Sequence, residues 1–121
     1  MYHAKLRIDL LPMTANKMCG MGWRARHKHA LEVKRIVHAE LLSLRVIPEK
    51  PIKKAKLKLT RCSSKRPDYD GTVSSFKWVI DGLVRAGVLY DDNIDVIGEP
   101  EYKWESAGQH CGHIKIEITE I

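Results

Sequence analysis

The chain has 121 residues, 44% of them hydrophobic and 30% charged, with a formal net charge of +6. One domain over residues 1–121 with a modest core is expected. No apolar run is long enough to span a membrane, and Met1 to Leu11 mixes charge and apolar residues too evenly for a signal peptide.

The charge is unevenly spread. Residues 1–60 carry 14 Lys and Arg against 4 Asp and Glu, and residues 61–121 carry 7 against 11. A basic half beside an acidic one suits a protein that holds phosphates with one region and a cation with another. Three widely spaced cysteines, Cys19, Cys62 and Cys111, suggest no disulfide framework and point to a reducing cytoplasm.

In chain order, His3 to Leu11 alternates and predicts a strand that Pro12 ends. Met13 to Arg24 has no usable period and reads as a long loop. From Ala25 to Val46, Ala30, Val33, Val37, Leu41 and Leu44 recur at steps of three and four, one stripe of an amphipathic helix that Pro48 and Pro51 close. Ile52 to Cys62 alternates again, with Ala55, Leu57 and Leu59 opposite Lys54, Lys56, Lys58 and Thr60. Ser63 to Asp70 is polar and reads as a loop. A second helix is predicted over Thr72 to Ala86, buried through Val73, Phe76, Ile80, Leu83 and Val84, with Gly87 as its stop. Asp91, Asp92 and Asn93 form a turn, followed by strands near Val96 to Lys103 and over His113 to Ile121. The order β-α-β-α-β-β predicts a small α/β fold with a mixed sheet and two main helices.

Asp68 and Asp70 are two residues apart, and extended backbone would send both side chains to one face. Magnesium takes oxygen ligands, often one or two carboxylates with substrate phosphate, so such a pair can begin a metal site. The same pattern before a helix also makes an N-terminal cap, with Asp70 as the capping acid. Asp91-Asp92-Asn93 is by itself a solvated turn. Lys77 flanks the helix's buried stripe and can hold a phosphate, or pair with Asp81 four residues on.

The stretch DYDGTVSSFKWVIDGLVRAGVLYDD, Asp68 to Asp92, resembles the RusA-type Holliday-junction resolvases. That family carries an Asp-x-Asp, a helical lysine, an Ala-Gly stop and a paired Asp. The closing GHIKIEITEI resembles its last strand. The resemblance implies a homodimeric endonuclease, dependent on magnesium with manganese as a possible substitute, that cuts four-way DNA junctions. By motif position it assigns Asp68, Asp70 and Asp92 to the metal, Lys77 to the essential lysine, and Lys65 and Arg66 to DNA. Two departures stand out: the lysine follows the second aspartate by seven residues, and Gly71 replaces a frequent asparagine.

Asn16, Lys17, Trp23, Arg24 and Arg26 are further candidates for DNA contact, with Trp23 either stacking on a base or covering the core edge. Lys54, Lys56 and Lys58 would add salt-dependent binding if they faced phosphates. Cys111, His113 and His110 lack the paired spacing of a zinc site, and His27-Lys28-His29 reads as basic surface.

One geometric question stays open. A helix from Asp70 to Ala86 would rise about 24 Å, and Gly87 to Asp92 can return at most roughly 20 Å. Either Val88 to Tyr90 runs straight back, or the twofold partner supplies Asp92. The alternatives to a junction nuclease are a DNA- or RNA-binding protein that keeps the fold without catalysis, and an RNA-directed hydrolase.

Overall fold

Alternation of small apolar and charged residues makes His3–Ile8 a strand, β1, with Ala4, Leu6 and Ile8 buried and His3, Lys5 and Arg7 exposed. In the structure, a computed structural model that describes residues 1–121, three more strands complete one sheet: β2 (Ala55–Ser63), β3 (Glu101–Ser106) and β4 (His113–Glu120). The sheet order is β1-β4-β2-β3. β4 runs antiparallel to both β1 and β2, and β2 and β3 are parallel. The sheet is therefore mixed, as the order of elements predicts.

Register sorts the side chains into two faces. Leu6, Ile116, Leu59 and Tyr102 form one row across all four strands, and Ile8, Ile114, Arg61 and Trp104 the next. These rows face the helices. Lys5, Glu117, Lys58 and Glu101, with Arg7, Lys115, Thr60 and Lys103, form the rows of the opposite face. No helix packs there.

The helical layer is α1 (Ala15–Met18), α2 (Trp23–Leu44), α3 (Tyr69–Ser75), α4 (Lys77–Arg85) and α5 (Ile94–Ile97). Ala30, Val33, Val37 and Leu41 are the buried stripe of α2, which lies against α4. Arg45, in a left-handed conformation (φ 56°), caps α2 through the Leu41 and Leu42 carbonyls, ahead of Pro48. A single cluster of 20 buried residues joins the inner sheet rows to α2, α4 and α5. No helix is long and apolar enough to cross a membrane.

Four local expectations are corrected. The stretch from Met13 to Arg24 is not all loop: Thr14 accepts from Lys17 N and starts α1, and α2 begins at Trp23. The second helix begins at Tyr69 and is broken at Phe76, whose fully buried ring anchors the joint between α3 and α4. The strand expected from Val96 is instead α5, capped by Asn93, whose side chain accepts from Val96 N. β3 starts only after Pro100, which has no N–H for a ladder.

Gly87 is the hinge on which the site depends. At φ +88° it closes α4, with Gly87 N bonded to Val84 O and Val88 N to Leu83 O. That is a Schellman turn, sealed by the buried pair Leu83 and Val88. Val88 and Tyr90 then exchange backbone hydrogen bonds with Ile52, and the chain heads back along the helical layer toward Asp92.

Candidate active site

Two acidic turns hold the candidate aspartates, and each precedes a helix. In the first, Asp68 is the N-cap of α3, its Oδ1 accepting from Gly71 N at 2.7 Å. The extended Asp-x-Asp geometry is therefore not what forms. Asp68 sits in β backbone while Asp70 is already in the first helical turn, so the two side chains are not companions on one strand face. The capping acid is Asp68, not Asp70. Gly71 is needed for this: a Cβ there would lie 2.8 Å from Asp68 Oδ1 and 3.2 Å from Pro67 Cβ. Asp70 is exposed at a helix N-terminus, where negative charge is favoured.

In the second turn Asp91 holds the backbone. Its Oδ1 accepts from Asp92 N at 2.7 Å and its Oδ2 from Asn93 Nδ2 at 3.1 Å. Asp92 is left exposed. Its carboxyl is pushed above the ordinary aspartate range, first by a side-chain hydrogen bond with Asp91, then by partial desolvation and the charges of Asp81 and Asp91.

Asp92 lines an open cleft of about 520 Å³ with Tyr69, Val73, Lys77 and Ile80 from α3 and α4, closed by Ile94, Ile97 and Tyr102. Asp92 shares this cleft with Tyr69 and Lys77 of the same chain, but not with Asp68 or Asp70. Lys77 is exposed on its wall, 4.0 Å from Asp81 Oδ2 and with Nζ 5.1 Å from the Trp78 ring centre. Its pairing with Asp81 and its place beside Asp92 thus coexist.

Asp68 and Asp70 do not line this cleft, and no group of three or more His, Cys, Asp or Glu side chains is close enough to hold a metal ion. Of the three candidate acids, only Asp92 lines the cleft. There crowding by Asp91 and Asp81 disfavours the charged carboxylate, and a cation would relieve it. Asp68 has one oxygen committed to Gly71.

The other expected contacts fall in three places. Asn16 and Lys17 lie exposed on α1, which is tied to α3 by Ala15 N donating to Ser74 Oγ at 2.9 Å. Trp23, Arg24 and Arg26 are exposed at the start of α2. Trp23 is 66% exposed with Arg24 stacked at 5.4 Å, so it does not cover the core edge. Lys56 and Lys58 lie on the helix-free face of the sheet, with Lys54 just before β2. They do not converge on the Asp92 cleft. Lys58 instead joins Lys5, Arg7, Lys103 and Lys115 around a shallow depression of about 630 Å³.

His113 Nδ1 is bonded to the Cys111 carbonyl at 2.8 Å, and His29 Nε2 accepts from Met13 N. Burial raises the Cys62 thiol, and all three cysteines are free.

Sequence reasoning missed a group beside the cleft. Tyr102 and Trp104, alternate residues of the edge strand β3, point to the helical side and are half-buried. Tyr69 meets Tyr102 edge-on at 6.5 Å, and Arg66 lies 5.5 Å from the Trp104 ring centre. Arg61 was also missed. It is buried in the row of Trp104, donates from Nη1 to the Pro12 carbonyl, and leaves its Nε unpaired. Burial lowers its pKa, and its role is to fix the chain entering α1. The signal for the aromatic group was the spacing Tyr102-x-Trp104 and the tyrosine inside Asp-x-Asp.

No family model matches the chain, and no curated protein matches it.

Proposed function

We propose that the chain is a magnesium-dependent endodeoxyribonuclease of the RusA type that resolves four-way DNA junctions as a homodimer. The observation that carries the reading is the return of Asp92 to a cleft shared with Lys77 and Tyr69. Tyr69, the residue inside the Asp-x-Asp, lines the same cleft. The motif spacing supplies the family; the cleft supplies a place for the chemistry.

By motif position Asp68, Asp70 and Asp92 are the groups that would hold magnesium, although within this one chain they are not gathered into a ligand set. When bound, magnesium supplies Lewis-acid activation of water and offsets charge on the leaving oxygen. Lys77, exposed on the cleft wall, neutralises the phosphate being cut. Lys65 and Arg66, exposed just before Asp68, hold the flanking backbone, and Asn16, Lys17, Arg24 and Arg26 extend the basic surface past α1. A junction with twofold symmetry calls for a C2 dimer with one cleft per chain. Three free thiols agree with work in a reducing cytoplasm.

The test is cleavage of a labelled four-way junction with magnesium or manganese. Symmetric paired nicks are expected, with none on the matching linear duplex. A mixture of Asp70→Asn and Asp92→Asn chains should stay inactive under the within-chain arrangement, in which one chain supplies both acids of a site. Recovered cutting would move Asp92 to the partner.

A second reading is favoured by the engagement of Asp68 as a cap: a nucleic-acid-binding protein that keeps the fold and does not cut. Junction binding at low salt with no cleavage under any divalent cation would select it.

A further inference from the structure

The groove next to the cleft has a composition that the cleft does not explain. It measures about 300 Å³ and is lined by Arg66, Tyr69, Thr72, Tyr102, Lys103 and Trp104, with Pro67 at its rim. It contains three aromatic rings, the Arg66 guanidinium and no carboxylate; Lys103 contributes from the edge strand, but its ammonium is on the opposite face, paired with Glu101 at 3.3 Å. Tyr69 and Tyr102 line both the groove and the Asp92 cleft, so the two spaces are continuous.

Its rings are held in place. The Trp104 indole donates from Nε1 to Ser63 Oγ at 2.9 Å, and Ser63 Oγ in turn donates to the Lys65 carbonyl at 2.7 Å. Tyr102 packs at 46° against Phe76, itself fully buried. Its hydroxyl is pushed above the usual tyrosine range, chiefly by burial, so it stays protonated and uncharged. Tyr69, by contrast, is 67% exposed and touches Tyr102 only edge-on. A large aromatic ring left in water beside an ordered aromatic wall lacks a partner for its faces.

We infer that this groove is a subsite for one unstacked nucleobase of the DNA strand entering the Asp92 cleft, stacked on Tyr69 against the Tyr102–Trp104 wall. The inference rests on the reading of the chain as a DNA-processing protein and names a feature of the substrate: a base pulled out of the helix beside the scissile phosphate. Charge selects this occupant. Arg66 lies over the Trp104 ring at 5.5 Å, where it can meet the phosphate next to a stacked base, and no carboxylate lines the groove to hold a cationic ligand. A paired base is covered on both faces by its neighbours, so only an unpaired base can offer a face to Tyr69. The subsite therefore favours branched or opened DNA over duplex, which a basic surface alone does not do.

The test uses the full chain without any divalent metal, so that it reads binding alone. Fluorescence anisotropy compares a short thymidine oligonucleotide with an oligonucleotide of the same length made of abasic residues, which keeps the phosphates and lacks the bases. The wild-type chain should bind the thymidine strand on the order of tenfold more tightly. Tyr69→Ala should bring that ratio close to one, and Tyr69→Phe should keep it. Arg66→Gln should weaken both strands equally and reduce the salt slope. Equal wild-type affinity for the two strands overturns the subsite, and so does a preference that survives Tyr69→Ala. Junction cleavage by the wild-type chain with magnesium, run in parallel, reads the nuclease proposal separately. Cutting without base preference sinks the subsite alone, and base preference without cutting sinks the nuclease alone.

Discussion

The two acidic turns divide their labour differently. At α3 a single residue, Asp68, both caps the helix and occupies the first motif position, so structure and proposed chemistry compete for one carboxylate. At α5 the work is split: Asn93 caps the helix, Asp91 ties the turn, and Asp92 is left free at the cleft. A carboxylate bonded to backbone N–H is stabilised as an anion but has less capacity left for a ligand. The second turn thus separates the cap from the acid that faces the cleft, so that Asp92, like Asp70, is not spent on capping a helix.

The largest effect should come from the unspent acids. Asp92→Asn and Asp70→Asn are expected to lower junction cleavage by on the order of a hundredfold or more. As both residues are exposed, melting temperature should move little, within about 0.5 kcal/mol of stability. Junction binding by gel shift should persist. Cutting at the wild-type rate in either variant would remove that residue from the mechanism.

Asp68 sharpens the comparison because its two roles separate by substitution. Asparagine keeps an oxygen for Gly71 N, whereas alanine does not. Asp68→Ala should cost about 1 kcal/mol of stability, seen as a fall in the thermal midpoint. Asp68→Asn should keep the midpoint and still lose cutting. Full activity in Asp68→Asn would leave Asp68 as a cap and nothing more.

The return path can be broken without touching an acid. Gly87→Ala forces an L side chain to φ +88°, though a Cβ there meets nothing within 4 Å. The cost is purely conformational, about 1 kcal/mol. If the turn also splays, Asp92 leaves the cleft and cleavage falls further than stability. Loss of cutting in step with unfolding alone would mean that the path tolerates the strain.

Much of this was legible in the residues. The period-two patterns of β1 and β4 and the stripe of α2 identify themselves because each buries one face against a continuous core. The break at Phe76 did not show, because it comes from burial of one ring between layers rather than from a proline or glycine. The one-turn helices α1 and α5 are too short for any period; only their caps, Thr14 and Asn93, mark them. Whether Lys56 and Lys58 face the acids did not show, because alternation gives two faces and cannot say which one carries the helices. The aromatic groove was hidden for a similar reason: Tyr69 and Tyr102, far apart in sequence, meet only because β3 lies beside β2, whose end leads into α3.

The smallest expected effect probes how Asp91 sets its neighbour. Asp92 carries a raised pKa, caused first by its hydrogen bond with Asp91. As pH falls, Asp92 therefore takes up its proton before an ordinary aspartate would, and the charged form that a cation needs is lost at correspondingly higher pH. In folding terms the sign is the reverse of a salt-bridged acid: a raised folded-state pKa favours the native state below the unfolded pKa, and that contribution disappears as pH rises through the folded value. Asp91→Asn removes one negative charge and an acidic hydrogen-bond partner while keeping an oxygen for Asp92 N. The acid limb of the cleavage profile should move to lower pH, and the Asp92 carboxyl resonance should titrate lower without metal. An unmoved limb beside a shifted resonance would mean that some other group sets the acid limit, and that the second turn keeps Asp92 in position without tuning its charge.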